Sequence, residues 1–159
     1  MSKNIWGAYL EDYGLIKIII PLNTCIDNIV LKGEDYFEKL IIDKQESYGN
    51  ELYLFCRYDS DIKLYKDYTV IINNELTLML SLGKITRSNR FDIENYYDGT
   101  LGVVVNDNTT EFRLWGPVCK EVVLVLDEEK FNLNYTDRGV WKLTFPRNLH
   151  GSKYYYVIR

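Results

Sequence analysis

The 159-residue sequence predicts an all-β fold, two small antiparallel β-sandwich domains in tandem, and three observations carry that prediction. Apolar residues alternate with a period of two. In ELTLMLSLG (75–83), Leu76, Leu78, Leu80 and Leu82 share one face; in ELYLFCRY (51–58), Leu52, Leu54 and Cys56 oppose Tyr53, Phe55 and Arg57. The composition suits a pleated, half-buried surface, with 14 Tyr, 6 Phe and 3 Trp against almost no Ala. No stretch longer than about ten residues repeats apolar side chains at the three- and four-residue spacing of a helix.

Taken in order, GLIKIIIPL (14–22) is a strand closed by proline and NIVLKG (28–33) a short strand ending in a glycine turn. YFEKLIID (36–43) fits either a strand or one or two helical turns. The segments 51–58, DYTVIINN (67–74) and 75–83 complete the first set. KITRSNRFDIEN (84–95) is polar, charged and without alternation, so it reads as a connector; it sets the domains at 1–88 and 89–159. Shorter strands follow at regular spacing: LGVVVND (101–107), TEFRLWGP (110–117), EVVLVLD (121–127), GVWKLTFP (139–146) and KYYYVIR (153–159). Trp141, Leu143 and Phe145 share a face while Lys142 and Thr144 take the other, the one-face-buried pattern of a sandwich. Trp115 and Trp141 both read as core bulk between two sheets.

The formal charge of −4 is spread among interspersed Lys, Arg, Asp and Glu, so no basic stripe serves a nucleic-acid partner. MSKNIWGAYLEDYG has no apolar targeting core, and the longest apolar run, 15–22, is interrupted by Lys17 and Pro21. A cytoplasmic protein with no membrane partner is expected, and Cys25, Cys56 and Cys119 are expected to be buried free thiols. One histidine and no paired cysteine spacing give no metal site, and no nucleotide or cofactor motif is present. The carboxylate pairs Glu11-Asp12, Glu34-Asp35 and Glu128-Glu129 are sequence neighbours, which point to opposite faces of a strand and cannot flank one bond. His150 stands alone in an NLHG turn. No catalytic residue is therefore assigned. Binding remains, and sugar-binding surfaces use aromatic rings on which pyranose faces stack.

The spaced segments FDIENYYDGTLGVVV, TEFRLWGPVCKEVVLVL and GVWKLTFPRNLHGSKYYYVIR resemble the N-terminal region of bacterial type I pullulanases, starch-debranching enzymes of the α-amylase superfamily. Phe91, Asp92, Tyr97, Asp98, Gly99, Leu101 and Gly102 fit the first family signature. Phe112, Trp115 and Pro117 fit the second, with Gly116 where the family usually has Ala. Gly139, Val140, Trp141, Leu149, His150, Gly151 and Tyr155 fit the third. The opening YLEDYGLIKIIIP and the lead-in LTLMLSLGKITRSNRFD carry a weaker likeness to the family's extra N-terminal domain.

The resemblance implies an immunoglobulin-like carbohydrate-binding module of the isoamylase N-terminal type for the second domain. Asp98, Gly99, Trp115, Pro117 and Trp141 would be its structural motif. It implies α-glucan as a partner. In family members the loop after the central strand often carries a Trp platform; here it reads LDEEKFNLNY, leaving Phe131 and Tyr135 as its aromatic residues. The catalytic domain of such an enzyme, a (β/α)8 barrel of about 250 residues, would be the other partner, joined in the same parent chain. The resemblance also implies a second domain truncated at its C-terminal end, with an open sheet edge near Val157. The alternative reading is a stand-alone β-sandwich that binds glucan or another protein.

Overall fold

The computed structural model describes residues 6–159, which divide into a first unit ending at Phe91 and a second unit, Asp92–Arg159.

The first unit contains β1 (Gly7–Asp12), β2 (Leu15–Pro21), β3 (Ile29–Lys32), β4 (Phe37–Lys39), β5 (Ile41–Tyr48), β6 (Glu51–Arg57), β7 (Thr69–Ile72) and β8 (Leu76–Leu82). They form one sheet in the order β4-β3-β7-β8-β1-β2-β6-β5. This corrects the expected sandwich, and the register shows why. Ala8 lies opposite Ile18 and Leu80, Ile18 opposite Leu54, Val70 opposite Leu78 and Leu31. One apolar face therefore runs unbroken across all the central strands. Residues far apart on that face, Leu31 and Val70 toward one edge and Leu54 and Cys56 toward the other, are each fully buried. The strands form no second sheet in this unit, so the sheet curls round its own apolar face as an open half-barrel. The 58–68 segment adds buried Tyr58, Ile62, Leu64 and Tyr68. Alternation alone looks the same whether a strand faces a partner sheet or its own curled continuation.

The pairing of β1 with β8 is parallel, which joins strands from opposite ends of the unit. The segment 36–43 resolves into β4 and β5, divided at buried Leu40, whose N–H reaches the Ile29 carbonyl at 2.8 Å. The tight link from β7 to β8 is held by Asn73, a residue at φ 53°. Its Oδ1 accepts the N–H groups of Asp27 (2.8 Å) and Asn28 (3.2 Å), and its Nδ2 donates to the Cys25 carbonyl (2.6 Å). Asparagine tolerates this left-handed backbone, and its amide does the work of a backbone turn.

The polar connector is helical, so the chain is mostly rather than wholly β. A 3₁₀ turn over Ile85–Arg87 leads into α1 (Asn89–Asn95). Ser88 caps that helix: its Oγ accepts the Phe91 N–H at 3.2 Å and donates to the Ile85 carbonyl at 2.7 Å.

The second unit holds β9 (Gly102–Val105), β10 (Thr110–Trp115), β11 (Val122–Leu126), β12 (Glu129–Asn132), β13 (Asn134–Tyr135), β14 (Val140–Phe145) and β15 (Tyr154–Ile158). They form two antiparallel sheets, β13-β14-β10-β9 and β12-β11-β15. Rings from both sheets meet edge-on: Phe112 with Phe145 (5.8 Å between centroids) and Tyr154 (5.2 Å), and Phe131 with Phe145 (5.0 Å). Buried Val122, Leu124 and Leu126 complete the core from β11. Of the three thiols, only Cys56 is buried. Burial pushes it up to about 12; Cys119 is half-buried and Cys25 exposed, because the 22–28 loop lies outside the alternating strands.

Candidate functional site

The Trp-Gly-Pro at the end of β10 separates two tryptophans that the sequence had placed together. Residues 110, 112 and 114 face the core with Phe145, Leu143 and Trp141 of β14; residues 111, 113 and 115 take the other face with Thr144, Lys142 and Val140, of which Val140 is buried. Trp141 is the core plug, 6% exposed, and its indole N–H donates to the Gly116 carbonyl at 2.9 Å. Trp115, expected as a plug between sheets, is instead 46% exposed. The correction follows from strand parity: Trp115 is in phase with Glu111 and Arg113, not with Phe112.

Gly116 and Gly139 make this corner possible. A Cβ on Gly116 would lie 2.5 Å from Cys119 Sγ, so the small residue here is matched to that thiol. Gly139 adopts φ 79°, and a Cβ there would lie 2.7 Å from Pro117 Cβ. The Gly116 N–H closes the corner on the Gly139 carbonyl at 2.7 Å. Pro117 is buried and follows the last paired residue of β10, where it has no N–H to leave unpaired.

This corner fixes the edge of the Trp115 ring. Its Nε1–H is shared between the Asn95 carbonyl (3.0 Å) and the Arg138 carbonyl (3.1 Å). Arg138 in turn donates to the Tyr96 carbonyl at 3.3 Å, and the Tyr96 side chain is exposed. The result is an anchored, half-exposed indole. Beside it on the same face, Glu111 forms ion pairs with Arg113 and Lys142 and accepts a hydrogen bond from Thr144 (3.2 Å). Burial opposes charge on Glu111, but hydrogen bonds from Lys142 and Arg113 outweigh it and hold the carboxyl below the usual carboxylate range. A rigid aromatic ring next to fixed donors and acceptors suits a ligand with apolar faces and hydroxyl rims.

Phe131 lies on β12 and Tyr135 on β13, in different sheets, and both are half-buried. Phe131 packs edge-on against Phe145; Tyr135 packs edge-on against Trp141 at 5.6 Å and accepts the Gly139 N–H on its hydroxyl at 3.1 Å. Asp98 and Gly99 lie in the segment before β9. In the first unit, an open groove of about 500 Å³ is lined by Leu22, Thr24, Gln45, Glu46 and Ser47 among others, without an aromatic ring. Among the described residues no group of three or more His, Cys, Asp or Glu side chains is placed to hold a metal, and no helix is long and apolar enough to cross a membrane.

A curled β unit is followed by an aromatic β-sandwich of immunoglobulin-like type. The chain belongs to the N-terminal region of pullulanases: residues 6–87 match the Pullulanase N1-terminal domain, and residues 100–159 match carbohydrate-binding module 48, the isoamylase N-terminal domain, an immunoglobulin-like sandwich. It is 26% identical over 164 residues to a pullulanase of Bacillus subtilis strain 168, covering 98% of this chain and 23% of that one. The crystal structure of the type I pullulanase of that strain, complexed with maltose, is 25% identical with a TM-score of 0.86, covering 99% of this chain and 23% of the other. A pullulanase of Anoxybacillus sp. LM18-11, complexed with maltotriose, shares the fold at 23% identity and a TM-score of 0.86, over 97% of this chain and 24% of that one. The chain thus spans about a quarter of the length of these relatives.

Proposed function

We propose that this chain is the accessory region of a debranching hydrolase that cleaves α-1,6-glucosidic links in pullulan, glycogen or amylopectin. In this reading the region braces a catalytic barrel, and its second unit contacts α-glucan. The family match supports the parent activity, and the crystal structures of relatives with maltose and maltotriose support the ligand class. The observation that carries the glucan contact is Trp115: an indole anchored by two carbonyls, half-exposed, and flanked by Arg113, Lys142 and Glu111. A pyranose stacks on its face, and its hydroxyls meet the charged row.

Maltoheptaose titration followed by intrinsic fluorescence tests this. The wild type gives a saturable change. Trp115→Ala weakens binding by about tenfold or more, in line with about 1.4 kcal/mol for losing a stacked ring. Phe131→Ala and Tyr135→Ala locate the competing platform on the 126–135 loop: if those two abolish the signal and Trp115→Ala does not, the contact lies there. No change up to millimolar sugar leaves the bracing role alone. The isolated chain releases no reducing sugar from pullulan.

A further inference from the structure

In the first unit, residues 58–68 run between β6 and β7 without strand or helix. The register places both ends of this segment at one end of the sheet: Arg57 lies opposite Leu15, Asp12 opposite Leu15, Leu10 opposite Leu82, and Thr69 opposite Lys32. In the sheet order β2, β1 and β8 stand between β6 and β7, so the segment spans the breadth of three strands. Tyr58, Ile62, Leu64 and Tyr68 are buried, while Asp59, Asp61, Lys63 and Lys66 are exposed. The segment therefore lies across the end of the half-barrel with its apolar side chains turned inward.

Its two ends are tied to backbone. The Tyr58 N–H donates to the Gly14 carbonyl (3.2 Å), and the Tyr68 carbonyl accepts the Leu80 N–H (2.9 Å). Between these ties residues 59–67 join no strand ladder, and side chains satisfy the backbone there. Glu38, on the three-residue edge strand β4, accepts the N–H groups of Asp59 (2.6 Å) and Ser60 (3.1 Å) and the Ser60 hydroxyl. The Lys63 N–H donates to the Tyr68 hydroxyl (2.9 Å), a bond inside the segment. The exposed Lys66–Glu34 ion pair (3.0 Å) adds little. One carboxylate, making charge-assisted bonds, thus fastens the middle of the segment to the sheet.

We propose that residues 59–67 form a strap that opens as a unit while the half-barrel stays folded, and that the Glu38 carboxylate is its latch. Segments with exposed surface and no ladder open at lower free energy than the strands around them. When the strap lifts, Ile62 and Leu64 leave the interior and the end of the half-barrel opens to solvent. All the contacts named here lie within the first unit, between Gly14 and Leu80, and are independent of the glucan contact in the second.

Native-state hydrogen exchange of the 159-residue chain, resolved by residue and repeated in low urea, tests this. The expected result is that the Asp59, Ser60 and Lys63 amides exchange about a hundredfold or more faster than those of Ile18 and Leu54, with little dependence on urea. Glu38→Gln speeds all three strap amides by about the same factor, roughly fivefold. Lys63 decides the point, because its N–H does not touch Glu38 and speeds only if the strap moves as one. Ile18→Val, in a strand that stays folded when the strap lifts, speeds exchange in β2 and β6 and leaves the strap unchanged. Strap amides that share the rate and the urea dependence of Ile18 and Leu54 overturn the proposal. So does a Glu38→Gln effect that is absent or confined to Asp59 and Ser60, or an Ile18→Val effect as large in the strap as in β2.

Discussion

The two units solve the same problem with different materials. In the first, one sheet curls around an aliphatic face, and Ile16, Ile18, Ile20, Leu31, Leu54 and Val70 are each fully buried. In the second, two small sheets clasp a core in which Phe112, Phe131, Phe145, Trp141, Tyr135 and Tyr154 meet edge-on. Branched aliphatic side chains pack closely on a continuous concave surface, whereas rings span the gap between separate sheets and orient one another. The difference teaches where each unit is vulnerable. The aromatic unit depends on a few large side chains, and the aliphatic unit on the polar residues that hold its turns and loops.

The sharpest break in this comparison is Trp141→Ala. It empties the centre of the aromatic core and removes the indole donor to the Gly116 carbonyl, which keeps the Cys119 N–H (3.1 Å). Loss of about 3–5 kcal/mol is expected, read by denaturant unfolding, with hydrogen exchange rising first in β10, β11 and β14. A loss below about 1 kcal/mol would show that the ring relay, and not this plug, carries the unit.

In the first unit the counterpart is Asn73→Ala. It removes three hydrogen bonds that tie the 25–28 segment to the β7–β8 turn, at a residue with φ 53°. About 2 kcal/mol is expected. Asn73→Asp retains the acceptor for Asp27 and Asn28 but not the donor to Cys25, and falls between the two.

The smallest effect belongs to Glu38. Its carboxylate accepts the N–H groups of Asp59 (2.6 Å) and Ser60 (3.1 Å) and the Ser60 hydroxyl. Burial raises its pKa, but these hydrogen bonds more than offset that, and the net direction is downward. The folded state therefore binds the proton less readily than the unfolded chain. The contribution is fully present above the unfolded carboxylate pKa of about 4.3 and fades as pH falls through the lower folded value. Glu38→Gln costs about 1 kcal/mol at neutral pH and flattens the acid limb of the stability profile. An unchanged acid limb would reassign that dependence to other carboxylates.

Much of the candidate site is legible in the sequence. The parity that buries Trp141 with Leu143 and Phe145 is plain in GVWKLTF, and the same rule applied to TEFRLWGP puts Trp115 outside with Glu111 and Arg113. Side-chain bulk alone points the other way, but strand parity outranks it here, and Trp115 is half-exposed. Asn73 could not be read this way. A turn asparagine is common, and its three bonds depend on the 25–28 segment passing beside it, 45 to 48 residues away in sequence. β1 does not stand out in the sequence, because GAYLED alternates over too few apolar residues.

By itself the sequence determined which residues face inward on each strand, since side-chain direction in a strand is a local, period-two property. It also determined the family, through spaced signatures that no composition mimics. Tertiary structure alone decided that the first unit curls instead of stacking and that β1 and β8 run parallel. Each of these depends on contacts between residues far apart in sequence, where the local pattern is the same for several outcomes and only the packing of the whole selects one.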